Sequence, residues 1–230
     1  MNEKQIETVY ELLSYFNEVD LLKHFVIVGS WAEYFLTLDS TINYMTGAVT
    51  RDIDILIPHK HRQSQPISLI KDLKSRGFIY DEDILTGIVR FTKGSVLDLE
   101  FMTINIGMDS SSYFIRDLNI SVMSLRELNF LEPYSKLVFY RDLSLRIPEP
   151  ATLLIHKILI HPSRSTNKKQ KDLRSIIELY QLVFRDTHQL IILNEILHEI
   201  TRKQHSILVH TSNQFHLHLL IEKLNLLSKK

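Results

Sequence analysis

The run Thr50-Arg51-Asp52-Ile53-Asp54-Ile55-Leu56-Ile57 decides how this chain is read, together with the earlier Val26-Ile27-Val28-Gly29-Ser30. The earlier run is apolar and ends in Gly-Ser. The later one is apolar too, yet it carries two aspartates two residues apart. Alternate side chains of a β-strand share a face, so Asp52 and Asp54 are expected to project the same way from one strand. Two carboxylates side by side repel each other, which raises one pKa or calls for a cation between them. A hard divalent cation such as Mg²⁺ takes oxygen ligands of this kind, usually with substrate phosphates. The plainer alternative is a pair of exposed acids on an edge strand, although Asp is depleted in strands.

A second acidic strand lies downstream in Ser95-Val96-Leu97-Asp98-Leu99-Glu100-Phe101-Met102. Here Asp98 and Glu100 share one face, and Leu97, Leu99 and Phe101 share the other. Read alone, it is a hairpin strand with one polar face. Beside the first acidic strand it brings three or four carboxylates together. A pair of Mg²⁺ ions about 3.5–4 Å apart needs about that many acidic ligands. Gly29 permits close backbone approach to a phosphate, and Ser30 can cap the helix that follows. Free N–H groups at that helix start attract anions.

Hydrophobic spacing sets the rest of the organisation. Residues 4–20 are expected to form an amphipathic helix, 25–28 a buried strand, and 31–38 a helix. Residues 40–48 are read as a loop broken by Gly47, and 49–57 as the acidic strand stopped by Pro58. A helix over 67–76 closes at Gly77. Residues 84–92 and 95–103 read as strands joined at Lys93-Gly94, and 105–117 as a polar loop. Further short strands are expected at 120–123, 136–139 and 142–147. The character changes at Ile147-Pro148-Glu149-Pro150, beyond which helices are expected at 152–160, 169–184, 188–203 and 215–227. The fold class is therefore α+β: a mixed sheet with flanking helices over residues 1–148, then an all-helical part over 149–230.

Composition narrows the function. A chain of 230 residues with 44% hydrophobic side chains can bury a real core in one or two domains. Lys+Arg and Asp+Glu are both 27, so no global basic field points to nucleic acid, although a local patch is still allowed. The absence of cysteine excludes disulfides and thiolate metal sites. The polar start Met1-Asn2-Glu3-Lys4-Gln5 and the lack of a bilayer-length apolar run lead us to expect a cytoplasmic protein with no membrane partner.

Val28-Gly29-Ser30-Trp31-Ala32, the Asp52/Asp54 strand and Leu97-Asp98-Leu99-Glu100-Phe101 together resemble the polymerase-β-like nucleotidyltransferase superfamily. Its hallmark is Gly-Ser or Gly-Gly after the first strand, then Asp-x-Asp, then a third acid on a later strand. The segment Pro148-Glu149-Pro150-Ala151-Thr152-Leu153-Leu154-Ile155-His156-Lys157 resembles a Pro-Glu-x-Leu-Leu-x-x-Lys segment of stand-alone bacterial members. Lys171-Asp172-Leu173-Arg174-Ser175-Ile176 resembles their Lys-Asp-Leu-x-Asp-Ile segment, with Ser175 in place of the second acid. AbiE-type toxin nucleotidyltransferases share this layout. The likeness runs from about residue 25 to residue 180.

That resemblance implies an NTP substrate with two Mg²⁺ ions, held by Asp52, Asp54 and a third carboxylate. Glu100 or Asp98 completes the catalytic set. Gly29, Ser30, Arg51, Lys157 and Asp172 are implied in nucleotide binding. An acceptor hydroxyl, on RNA, tRNA or a protein, attacks the α-phosphorus and pyrophosphate leaves, possession of a protein antitoxin being a further implication. Lys157 interrupts the apolar run Leu153-Leu154-Ile155 and Ile158-Leu159-Ile160, so it reads as a phosphate contact or as a lysine snorkelling from a half-buried helix. Asp172 reads as its orienter or as a carboxylate at a helix start. Arg164, Lys168, Lys169 and Lys171 form a local basic cluster, read as a steering patch for a polyanion or as plain solvated surface. His216 and His218 lie two apart and do not share a helical face, so they are not expected to chelate a metal. Trp31 reads as core. Two rival readings stand beside the first: a degenerate nucleotidyltransferase fold serving as a binding module, and an Asp-x-Asp glycosyltransferase.

Overall fold

The computed structural model describes residues 3–39, 42, 44, 50–58, 67–105, 107 and 111–227. The expected loop over 40–48 and its Gly47 lie outside the described residues, apart from Ile42 and Tyr44. Helix α1 (Glu3–Glu18) turns Val9, Leu12, Leu13 and Phe16 inward, as its apolar spacing requires. Strand β1 (Val26–Val28) runs straight into α2 (Gly29–Thr37). The reversal needs a left-handed backbone at Gly29, φ 67°, which glycine adopts without a steric cost.

The strands that follow build one mixed sheet. They are β2 (Asp52–Ile57), then, after α3 (Leu69–Ser75), β3 (Ile79–Glu82), β4 (Val89–Lys93), β5 (Leu97–Ile104), β6 (Ser112–Ile115) and β7 (Ile120–Leu125). The order is β1-β2-β5-β4-β3. One edge of β5 is taken by β2 in parallel over residues 98–103. Its other edge is shared: β4 pairs antiparallel with residues 97–100, and β7 pairs parallel with 102–104. β6 closes that side against β7. A separate hairpin, β8 (Ser135–Tyr140) and β9 (Leu143–Pro148), packs against β1 and α2.

The β8–β9 hairpin ends at Pro148 and α4 (Pro150–Ile160) begins two residues later, so the helices start where the character of the sequence changes. α4 carries Pro150 in its first turn, where a missing N–H costs nothing. Its side chains are apolar almost all round, and it is the buried centre of the helical part. α5 (Thr166–Arg185), α6 (Thr187–Glu199) and α7 (Arg202–Gln214) pack on it, and α8 (His218–Leu227) packs on α7. One buried apolar cluster runs continuously from the sheet into these helices. No described helix is long and apolar enough to cross a membrane.

The structure departs from the expected elements in three places. The strand expected from residue 84 starts at Val89, and Ile79–Glu82 is a strand of its own. Its Asp81 and Glu82 mask the alternation because β3 is an exposed edge. Ile84 and Leu85 instead sit in a turn locked by Asp83, whose Oδ1 accepts from Leu85 N, Thr86 N and Thr86 Oγ1. The stretch 105–117, read as a polar loop, contains β6, which pairs antiparallel with β7. The helix expected over 188–203 stops at Glu199, and α7 begins after Thr201. Thr201 Oγ1 accepts from Gln204 N, and the Gln204 side chain accepts from Thr201 N. This Thr-x-x-Gln capping box was present in the sequence.

Candidate active site

The two acidic strands are neighbours. In the parallel β2–β5 pair, Asp52 stands opposite Asp98 and Asp54 opposite Glu100. Strands in a sheet lie about 4.8 Å apart, so the four carboxyl groups share one patch of one face. Ile53, Leu97 and Leu99 alternate with them and are fully buried on the opposite face. That apolar face anchors the register, because a slip by one residue would turn every acid into the core.

Gly29 brings the first turn up to this patch. Val28 pairs with Asp54 across β1–β2, and a Cβ on Gly29 would overlap Asp54 Oδ2 and lie 3.4 Å from its Cγ. The start of α2, with its free N–H groups, therefore abuts Asp54 directly. Ser30 Oγ lies 2.7 Å from Thr50 Oγ1, tying that helix start to the residue that leads into β2.

Asp54 is the electrostatically stressed member. Burial, then the charges of Glu100 and Asp52, push its pKa up from 3.8 to about 6. Arg164 and Lys168 oppose this, so the helical part contributes positive potential here. The two acids of β5 are each drawn to an arginine. Arg51 Nε and Nη2 hold Asp98 Oδ2 at 2.6 and 2.5 Å, while Asp98 Oδ1 is buried with no hydrogen-bond partner. Arg90 Nε meets Glu100 Oε1 at 3.1 Å. Among the described residues, no three Asp, Glu or His groups are already gathered as a metal cage.

The donor set nonetheless suits a hard cation. It offers oxygen ligands only, and the crowding of Asp54 by Glu100 and Asp52 is the condition a divalent ion would relieve.

Lys157 lies deeper than a surface snorkel. Its Nζ donates to Glu33 Oε1 at 2.7 Å and to Asp172 Oδ1 at 3.4 Å. Asp172 Oδ2 in turn accepts from Arg164 Nε at 3.1 Å. Asp172 and Lys157 thus meet. Glu33 was not singled out in the sequence, though a lone acid among Trp31, Ala32, Phe35 and Leu36 is the same kind of signal that marked Lys157. Lys171, half-buried, has its pKa lowered by burial and by Lys157, so it borders the same cluster. Lys168 is exposed beside it. His216 sits in a left-handed link and His218 opens α8, with rings 6.2 Å apart and far in sequence from the acids. Trp31 is core.

Three solved structures are similar to this chain. The antibiotic-resistance factor ANT(2'')-Ia is 12% identical, with a TM-score of 0.51 over 93% of this chain and 100% of that one. An antigenic nucleotidyltransferase-like protein from Paracoccidioides brasiliensis is 17% identical, with a TM-score of 0.48 over 90% of this chain and 94% of its own. The lincosamide antibiotic adenylyltransferase LnuA, solved with lincomycin bound, is 16% identical, with a TM-score of 0.45 over 78% of this chain and 98% of its own. At these identities the ANT(2'')-Ia likeness is one of fold. No curated protein matches the chain. A nucleotidyltransferase family model matches residues 7–196, a span that holds both acidic strands, the Gly29-Ser30 turn and the Lys157–Asp172 pair. The chain therefore belongs to the nucleotidyltransferase family and is an enzyme of nucleotidyl transfer.

Proposed function

We propose that the chain moves an NMP from an NTP to an acceptor hydroxyl and depends on Mg²⁺. The reading is carried by the register that sets Asp52 and Asp54 against Asp98 and Glu100. Asp52, Asp54 and Glu100 would hold the metal. Glu100 is preferred to Asp98 because it faces Asp54 directly and its charge is the first electrostatic cause of the Asp54 shift. When bound, Mg²⁺ neutralises charge on the triphosphate and on the attacking oxygen.

The chain's own groups do the rest by positioning, which dominates in phosphoryl-type transfer. Gly29 and Ser30 offer the N–H groups at the start of α2 to the terminal phosphates. Lys157, with Asp172 beside it, forms the opposite wall and supplies a phosphate contact. Arg51 reaches the nucleotide on leaving Asp98. Asp98 supports the catalytic set from the neighbouring position on β5.

The acceptor we propose is a polyanion, RNA or tRNA, favoured by Arg164, Lys168, Lys169 and Lys171 at the start of α5; a protein hydroxyl is the alternative. A role as a cytoplasmic toxin with a protein antitoxin, of AbiE type, rests on the likeness of the segments 148–157 and 171–176 to those proteins. The division into domains 1–148 and 149–230 is likewise our proposal. Incubation with each labelled NTP, Mg²⁺ and total RNA tests the acceptor. Label in RNA supports the reading; label in protein moves the acceptor; label in neither, with active enzyme on a small hydroxyl compound, removes the macromolecular acceptor. Wild-type protein that binds NTP yet labels nothing would favour a binding module.

A further inference from the structure

Glu33 stands where α2 meets α4 and α5, and among the described residues its side chain bonds to none on the acidic strands. It is 3% exposed, in a helix whose neighbouring side chains are apolar. Each of its oxygens is committed. Oε1 accepts from Lys157 Nζ at 2.7 Å. Oε2 accepts from Tyr44 Oη at 2.6 Å and from Ser175 Oγ. Tyr44 precedes β2, Lys157 belongs to α4 and Ser175 to α5, so one carboxylate gathers groups from both parts of the chain.

We propose that Glu33 is a positioning residue that fixes the Lys157 ammonium for contact with the nucleotide phosphates. The proposal rests on the reading of Lys157 as a phosphate contact. Lysine carries its charge on a flexible four-carbon stem, and holding it in one place costs rotamer entropy. Two anions from different helices, Glu33 on α2 and Asp172 on α5, fix where Nζ sits. An ammonium has three N–H donors; Glu33 and Asp172 accept from two, and we assign the third to a phosphate oxygen.

Glu33 lies one turn beyond Gly29 on the same helix. The carboxylate that holds Lys157 is therefore carried by the helix whose first residue touches Asp54. The two walls of the phosphate site are joined through one side chain. A purely stabilising role is a weaker explanation, because buried ion pairs often add little to stability over apolar residues of similar volume.

The test is a double-mutant cycle on the full chain with Glu33→Gln and Lys157→Met. It reads KM and kcat for NTP, Kd for a fluorescent NTP analogue, and thermal melting. Glu33→Gln is expected to raise both KM and Kd about tenfold, a coupling within the range seen for residues in contact, and to change kcat much less. Glu33→Asp is expected to recover part of the loss. In the Lys157→Met background, Glu33→Gln is expected to add less than about twofold.

Unchanged KM and Kd in folded Glu33→Gln, with Lys157→Met impaired, overturn the proposal and leave the phosphate role of Lys157 standing. Unchanged values in Lys157→Met overturn both. Full additivity in the double variant overturns the proposal by showing that Glu33 acts elsewhere. Should Glu33→Gln fail to fold, Ser175→Ala removes one donor to Glu33 and keeps both charges. It is expected to raise KM in the same direction by a smaller factor, and an unchanged KM there overturns the proposal.

Discussion

Gly29 and Asp54 face each other so closely across the β1–β2 junction that any side chain at residue 29 would occupy the space of the Asp54 carboxylate. The backbone conformation adds a second demand, since φ is 67° at Gly29. Gly29→Ala meets both obstacles. The left-handed conformation alone costs about 1–2 kcal/mol for a residue with a Cβ. We expect a lower melting temperature and, in the fraction that folds, a displaced Asp54 and strongly reduced transfer. Melting curves beside kcat report the two effects separately. Wild-type kcat in folded Gly29→Ala would contradict a catalytic role for the close approach.

The raised pKa of Asp54 makes the stability of the metal-free protein depend on pH. Its folded pKa of about 6 lies above the ordinary 3.8. The stability this group contributes is thus fully present below pH 3.8 and is lost as pH rises through about 6. Without divalent ions, the melting temperature should carry a downward component between pH 3.8 and about pH 6. Asp54→Asn should remove that component and melt higher than wild type at pH 7. Mg²⁺ should raise the wild-type melting temperature at pH 7 more than that of Asp54→Asn. Parallel melting profiles for wild type and variant across this range would refute the burial and charge repulsion assigned to Asp54.

Which β5 acid completes the site can be separated by titrating a divalent ion calorimetrically. Glu100→Gln removes the carboxylate opposite Asp54, so it should weaken the ion about tenfold or more, within the range of lost metal ligands and their supports. Asp98→Asn should cost less, because Asp98 Oδ2 is already held by Arg51. Arg90→Ala frees Glu100 and should tighten binding. The reverse order of Glu100→Gln and Asp98→Asn would make Asp98 the third ligand.

A structural prediction concerns the helix that hydrophobic spacing missed. Thr201→Ala removes the cap that starts α7 and should destabilise the protein by about 1 kcal/mol, with NTP affinity unchanged. Denaturant unfolding measures it. A loss of NTP affinity would mean that α7 reaches the nucleotide.

Much of the site was legible because strand periodicity is simple. Asp52 and Asp54, or Asp98 and Glu100, must share a face wherever their strands go. Their meeting was not legible, since it depends on β2 and β5 becoming parallel neighbours although α3, β3 and β4 come between them in the chain. The helix lysine Lys157 stood out by interrupting an apolar run, and Asp172 stood beside it in the second matching segment. Glu33 was overlooked although it interrupts an apolar run in the same way. Its partners Tyr44, Lys157 and Ser175 are distant in sequence, so only tertiary packing shows that its charge is satisfied. The arginine pairs were hidden for the same reason: Arg90 meets Glu100 only through the β4–β5 register. Edge strand β3 escaped because exposed strands need no apolar alternation, whereas the capping box at Thr201 was readable and marks a boundary that spacing alone blurred.

The most direct measurement is nucleotidyl transfer by wild type, Asp52→Ala and Asp54→Ala, with labelled NTP, RNA and Mg²⁺, on protein shown by melting to be folded. Wild type is expected to give Mg²⁺-dependent label on the acceptor with release of pyrophosphate. Each variant is expected to lose at least about a thousandfold, the order of effect for groups that stabilise transferred phosphoryl charge. Equal incorporation by wild type and both variants would contradict it.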